Sequence, residues 1–273
     1  MEELRTALCA AAEHLSFPAI DRVVWPRAKR NPCKSGEFAL VVLDDGSAGL
    51  FYVWLDDTLE RLVGIDPGEV EGLNPAEYLA AGPRHGLEHR ALALGVMNAM
   101  SQWLFCAARI PLSGSGSMGD MAFTSSDKVG MVGLFPSLAD RLQQQGTEFV
   151  VVEKDTALRD DYPQYTVSMN PQDLLSCTKI LITGSTLLND SLDDVLAHCA
   201  GAKRVSVIGP TASCLPDALF RRGVHRVGGS RVVDLDSLLA RQVVDQPWGD
   251  AVQKYVLDRN HYPGLDRLLS TLD

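Results

Sequence analysis

From residue 128 onward the sequence alternates short, continuously apolar runs with segments that carry helix signals. The runs are "KVGMVG" (128–133), "EFVVVE" (148–153), "KILIT" (179–183), "RVSVIG" (204–209) and "VHRVGG" (224–229). A strand with one wet face alternates apolar and polar residues. A run that is apolar throughout needs cover on both faces, which a parallel sheet receives from its crossover helices. The intervening segments supply those helices. Pro136 opens one through Leu138 and Leu142, and Gly146 stops it. A short helix is expected near 171–177. Ser191 and Asp194 have capping-box spacing ahead of the stripe Leu192, Val195, Leu196 and Cys199, with Gly201 as the stop. Pro216 and Gly223 bracket another helix. The expected fold class for 128–273 is therefore α/β, a doubly wound, Rossmann-like parallel sheet with C-terminal helices.

Residues 1–112 follow a different rhythm and read as an α+β domain. Leu4, Ala7, Leu8, Ala11 and Leu15 recur at helical spacing over 3–15. Three strand-length runs follow, "AIDRVVW", "EFALVVLDD" and "SAGLFYVWL", and "DDGS" (44–47) is a hairpin turn between the last two. Residues 88–108 form the longest helix candidate, apolar on nearly every face and so expected to be buried on most of them. Asn98, Ser101 and Gln102 lie inside it and must find partners, either in the core or at an interface. Residues 113–127 lose all periodicity in Gly and Ser and read as a linker or loop.

Composition narrows the partners. The 273 residues carry a formal charge of −10, which argues against a broad nucleic-acid or anionic-membrane surface. The local run with Arg27, Lys29, Arg30 and Lys34 reads as a solvated loop or an anion site. Residues 1–17 show no secretory signal, and no run reaches the roughly 20 apolar residues of a membrane helix. The six cysteines (Cys9, Cys33, Cys106, Cys177, Cys199, Cys214) are widely spaced, with no C-x-x-C pair. Free thiols in a cytoplasmic protein are the simplest expectation.

In an open α/β sheet, ligands sit beyond the carboxyl ends of the strands. Three small-residue loops should leave that edge, "GLFPSL" (133–138), "TGSTLLND" (183–190) and "GPTASCLP" (209–216). They nominate Gly133, Phe135, Pro136, Gly184, Ser185, Thr186, Asn189, Gly209, Pro210, Thr211 and Ser213 as ligand-binding residues. Hydroxyls in such turns also cap helices, so capping competes with ligand contact at each. Glu153, at the end of the second run, stands where such folds often hold a ribose. The glycine fingerprint for a dinucleotide is absent, because Phe135 and Pro136 put bulk where pyrophosphate would approach. No P-loop, H-E-x-x-H or G-x-S-x-G occurs.

The runs "DKVGMVGLFPSLADRL", "LLSCTKILITGSTLLNDSLDDVL", "VSVIGPTASCLPDALF" and "VGGSRVVD" resemble the heavy-metal chelation domain family. The resemblance implies a Rossmann-like C-terminal domain behind an N-terminal domain similar to that of enolase, matching "EFALVVLDDGSAGLFYV" and "EHRALALGVMNAMSQW". It also implies metal binding, which the residue spacing does not independently support. Borderline ions take Cys and His, commonly four in number. Cys177, Cys199 and His225 read as structural, leaving Cys214 in an edge loop. A second set, His85, Glu88 and His89, lies beside Arg84 and Arg90. His85 and His89 share a face only if the helix starts early enough.

Three functions follow. The chain binds a divalent transition metal, a metal chelate or a small anionic ligand in an interdomain cleft. Alternatively it is an enzyme on a small anionic metabolite, with no nucleophile–base pair legible. The third is a scaffold. The segment with Lys254, Tyr255, Arg259, His261 and Tyr262 is expected as a helix ending at "NHYPG", folded back on the first domain or making a homodimer contact.

Overall fold

A computed structural model describes residues 1–26, 37–82, 85–114, 121–154, 157–244 and 246–272. The basic run at Arg27–Lys34 with Cys33, Arg84, and the middle of the Gly/Ser segment lie outside these residues.

The N-terminal part opens with helix α1 (Glu2–Ala11), which buries Leu4, Leu8 and Ala11. Strands β1 (Ile20–Val24), β2 (Phe38–Leu43) and β3 (Ala48–Tyr52) form an antiparallel three-stranded sheet in that order. Gly46, at φ +86°, makes the β2–β3 turn, a conformation that costs Gly little. Helices α2 (Thr58–Val63) and α3 (Pro75–Ala80) lead to α4 (Leu87–Ala107), which lies across β3 and is buried along most of its length. Close approach is possible because glycines face each other: a Cβ at Gly49 would lie 2.1 Å from the Gly95 carbonyl oxygen.

The C-terminal part alternates as its pattern demands. Its elements are β4 (Lys128–Val132), α5 (Pro136–Gln144), β5 (Glu148–Val152), α6 (Ala157–Asp161), a short β6 (Val167–Ser168), β7 (Lys179–Thr183), α7 (Leu192–Ala197), β8 (Arg204–Ile208), α8 (Asp217–Arg221), β9 (Arg226–Val232), α9 (Leu235–Val243), β10 (Val252–Asp258) and α10 (Leu265–Leu269). A 3-10 helix at Pro171–Ser176 takes the place of the short helix expected there. The sheet runs β10-β9-β8-β7-β4-β5-β6 and is parallel except for β10. From β4 the chain moves one way to β5 and β6, then returns to the other side of β4 for β7, β8 and β9. One apolar core joins both sheets, with Val41, Leu92 and Met97 packed into the same cluster as Val205, Val207 and Leu215. No helix among the described residues is long and apolar enough to cross a membrane.

One expectation is corrected. The segment at 252–258 is a strand, antiparallel to β9, not a helix. Its Tyr255 and Leu257 are buried while Val256 between them is not, the period of two that a half-covered edge strand requires. The described ends of the Gly/Ser segment, 113–114 and 121–127, are tied to the larger sheet. Val256 N–H donates to the Ser113 carbonyl at 3.0 Å, and Lys179 holds both the Ala122 carbonyl (2.6 Å) and Asp127 (2.8 Å).

Candidate functional site

Because β4, β7 and β8 are parallel neighbours, the turns that follow them leave one edge of the sheet. They touch one another. A Cβ on Gly133 would lie 2.8 Å from the Thr183 methyl carbon, and one on Gly184 would lie 2.8 Å from the Ala212 nitrogen. The chain therefore needs glycine at both positions, and Gly133 additionally sits at φ +81°.

The hydroxyls of the 183–191 turn are largely spent on the turn itself. Thr183 Oγ1 accepts from Ser185 N–H at 3.3 Å and lies 3.0 Å from Ser185 Oγ, while Thr186 donates to the Thr183 carbonyl at 2.8 Å. Asn189 Oδ1 accepts from both the N–H (3.2 Å) and the hydroxyl (2.6 Å) of Ser191. Asn189 thus captures the group that the expected capping box would have used, and Ser191 makes no side-chain cap on α7.

The 209–214 turn is an internal joint rather than an open wall. Thr211 Oγ1 accepts from Tyr52 N–H at 3.1 Å. Ser213 Oγ lies 2.6 Å from the Pro210 carbonyl and 3.0 Å from that of Ser230, and accepts from Ser230 N–H at 2.9 Å. The polar stripe of α4 completes the joint. Asn98 Nδ2 donates to Leu50 O (2.7 Å) and Thr211 O (3.1 Å), Gln102 Nε2 to Ser213 O (2.8 Å) and Tyr255 Oη (2.9 Å), and Ser101 Oγ accepts from Leu215 N–H (3.0 Å). Thr211 and Ser213 are buried, and their hydroxyls are committed to this joint rather than presented to a ligand. On the same edge Gly133, Phe135, Pro136, Glu153, Ser185, Asn189, Gly209 and Pro210 are half-buried.

The metal candidates do not come together. Among the described residues no three His, Cys, Asp or Glu side chains form a group able to hold an ion. Cys214 is 2% exposed, and burial pushes its thiol up to about 12. Cys199 is likewise raised to about 12, first by burial and then by neighbouring Cys177. His225 Nδ1 accepts from Val205 N–H at 3.1 Å, a strand-start role, and burial lowers its pKa. His85 and His89 do not share a helical face, since α4 begins at Leu87 and its N-cap, Gly86, sits at φ 109°. A resident metal centre of His85, Glu88, His89 and Cys214 does not fit this chain.

The head of α4 nevertheless meets the sheet edge. Arg90 Nη1 donates to the Leu188 carbonyl at 3.1 Å, and Arg90 Nη2 lies 2.6 Å from Asp190 Oδ2. Two atoms in the same turn, Glu88 Oε2 and His89 Nδ1, are enclosed without a hydrogen-bond partner among the described residues. The sequence marks these residues only as a polar helix start. Nothing local shows that Arg90 reaches a turn 98 residues away.

The comparisons agree with this architecture. Residues 119–247 match the DUF364 family model, described as "Putative heavy-metal chelation". An uncharacterized protein of Methanocaldococcus jannaschii is 25% identical over 169 residues, which takes in 61% of this chain and 63% of that relative, under two thirds of its length. Two solved structures, both of unknown function and titled as members of that family, share the fold. The Pyrococcus horikoshii protein has a TM-score of 0.66 at 18% identity, covering 93% of this chain and 98% of its own. The Desulfitobacterium hafniense protein has a TM-score of 0.69 at 18% identity, covering 94% and 97%. Over residues 119–247, just under half of its length, the chain is similar to the DUF364 family.

Proposed function

We propose that the protein binds a small anionic metal-chelating ligand, with its metal as cargo, where the head of α4 meets the 184–190 turn. The observation that carries this reading is the pair Glu88 Oε2 and His89 Nδ1, enclosed without partners among the described residues, beside a residue that ties α4 to that turn. Enclosed polar atoms ordinarily find partners, and an orphaned one costs stability. A ligand bearing both donors and acceptors would satisfy the two atoms. The described residues bring too few metal-binding groups together for a bare ion, so the remaining donors would come from the chelator. The N-terminal end of a 21-residue helix favours the ligand's negative charge.

The reading is tested by calorimetry on untagged, dialysed protein, titrated with Ni(II), Co(II), Cu(II), Zn(II) and Fe(II) alone and as their citrate and histidine complexes. Complexes should bind more tightly than the ions, and His89→Ala and Glu88→Gln should each weaken them about tenfold. Equal binding by the bare ions, or binding indifferent to His89→Ala, removes the proposal.

A further inference from the structure

The amino ends of the parallel strands form the other edge of the larger sheet, and four of those strands open on a cation: Lys128 of β4, Lys179 of β7, Arg204 of β8 and Arg226 of β9. Three of the four are matched by a carboxylate. Lys128 lies 3.0 Å from Glu148, Lys179 2.8 Å from Asp127 and Arg226 2.8 Å from Asp258. Arg204, exposed, makes no ion pair among the described residues. The same holds for Arg259, also exposed, which follows β10 and reaches this edge because β10 is antiparallel. In a chain of net charge −10, two unmatched arginines on one edge stand against the prevailing charge.

His225 sits between them and is fixed by backbone on both sides. Its N–H donates to the Val205 carbonyl, one residue from Arg204, at 2.8 Å, and its carbonyl accepts from Arg259 N–H at 3.0 Å. Because Nδ1 accepts from Val205 N–H, the neutral ring carries its proton on Nε2, which donates to nothing among the described residues. The charges facing this half-buried ring are Arg259, Arg204 and Arg226 against the single carboxylate of Asp258. Asp258 is already engaged by Arg226 and by Asn260 N–H at 2.9 Å, with His261 at 3.7 Å beyond it. Exposed Lys203 precedes Arg204 and adds no negative charge. Burial, then Arg259 and Arg204, hold the His225 pKa down, so the ring lies in a positive field that nothing described there cancels.

We propose that Arg204, His225 and Arg259 form a binding site for a small dianion of the phosphate type, inorganic phosphate or a phosphomonoester, with His225 donating through Nε2. Two guanidinium forks and a ring N–H between them match the several acceptor oxygens of one phosphoryl group. A nucleic acid is disfavoured, since a long polyanion would meet the net negative charge beyond this cluster. The site lies on the edge opposite the head of α4 and stands independently of the metal-chelate reading.

Calorimetry and histidine-ring NMR on the untagged full chain test it, with inorganic phosphate, glycerol 3-phosphate and sulfate as probes. At least one of the two phosphates binds at millimolar concentration, and the tighter one names the source of the dianion. Arg204→Gln and Arg259→Gln each weaken it about tenfold, through a lost hydrogen bond between charged groups. Both leave metal-chelate binding at the head of α4 unchanged. Sulfate has the same shape and stays a dianion throughout, so it should move the His225 titration to higher pH, because a bound anion favours the imidazolium. The His225 resonance is assigned by its absence in His225→Asn. Failure of both phosphates at millimolar concentration, displacement by chloride at equal concentration, tighter binding of a single-stranded oligonucleotide, or a His225 titration that sulfate leaves in place overturns the proposal. The sulfate shift is read on the unaltered chain, so it decides the matter even where a variant folds poorly.

Discussion

Gly49 of β3 and Gly95 of α4 face each other so closely that a Cβ on Gly49 would lie 2.1 Å from the Gly95 carbonyl oxygen and 2.3 Å from the Ala99 nitrogen. Opposite them, a Cβ on Gly95 would lie 2.4 Å from the ring of Phe51. This contact sets how deeply α4 sinks onto the three-stranded sheet. It thereby sets where the polar stripe and the head of α4 meet the larger sheet.

Gly49→Ala therefore forces helix and sheet apart, because the atoms it meets are backbone and cannot swing away. Urea denaturation should show a loss of at least about 2 kcal/mol. A neutral result would mean that α4 shifts freely, which would undercut the rigid joint described for it.

Asn98→Ala removes both hydrogen bonds from α4, one to Leu50 of β3 and one to Thr211 of the 209–214 turn, in a fully buried setting. The expected loss is about 2 kcal/mol in chemical denaturation, with faster amide hydrogen exchange in residues 209–215. Unchanged exchange in that turn would show that Asn98 does not hold it.

Acid should loosen the Lys179–Asp127 clamp. Burial acts to raise the Asp127 pKa, but hydrogen bonds from Lys179, Thr124 and Thr178 outweigh it and hold the carboxyl well below its ordinary value of 3.8. A carboxyl depressed in the folded state contributes stability above its unfolded value, and loses it as pH falls toward the folded one. Melting curves of the parent and Asp127→Asn should accordingly differ at neutral pH and converge below the ordinary Asp range. A constant gap across that window would assign the effect to packing instead.

Thiol labelling separates the cysteines. Cys106 is exposed, whereas Cys177, Cys199 and Cys214 are buried and their thiols are raised by burial. Mass spectrometry after brief alkylation at neutral pH should find Cys106 modified and those three modified only in denaturant. Cys214→Ser should leave metal-chelate affinity intact, and a loss beyond about tenfold would restore Cys214 as a ligand.

The sequence by itself determined the elements and the edge from which three small-residue turns leave. Apolar runs of strand length, Pro136 and Pro216 near helix starts, and Gly146 and Gly223 past helix ends are local signals, read by the chain within a few residues. They account for β4, β5, β7, β8 and β9, and for the convergence of three turns at one edge. Tertiary structure decided what the residues at that edge do. Thr211 and Ser213 look like ligand hydroxyls until Tyr52 and Ser230 claim them, and Thr186 until its own turn does. The 252–258 segment became a strand because β9 offered an open edge, and its Tyr255 could pack over Gly229, where a Cβ would lie 2.5 Å from the ring. His85 and His89 were separated by a backbone turn at Gly86. Arg90 and Asp190 were joined across a large stretch of sequence. Periodicity and capping are short-range and survive in one dimension. Which donor meets which acceptor depends on how the two sheets share a core, and no local pattern carries that.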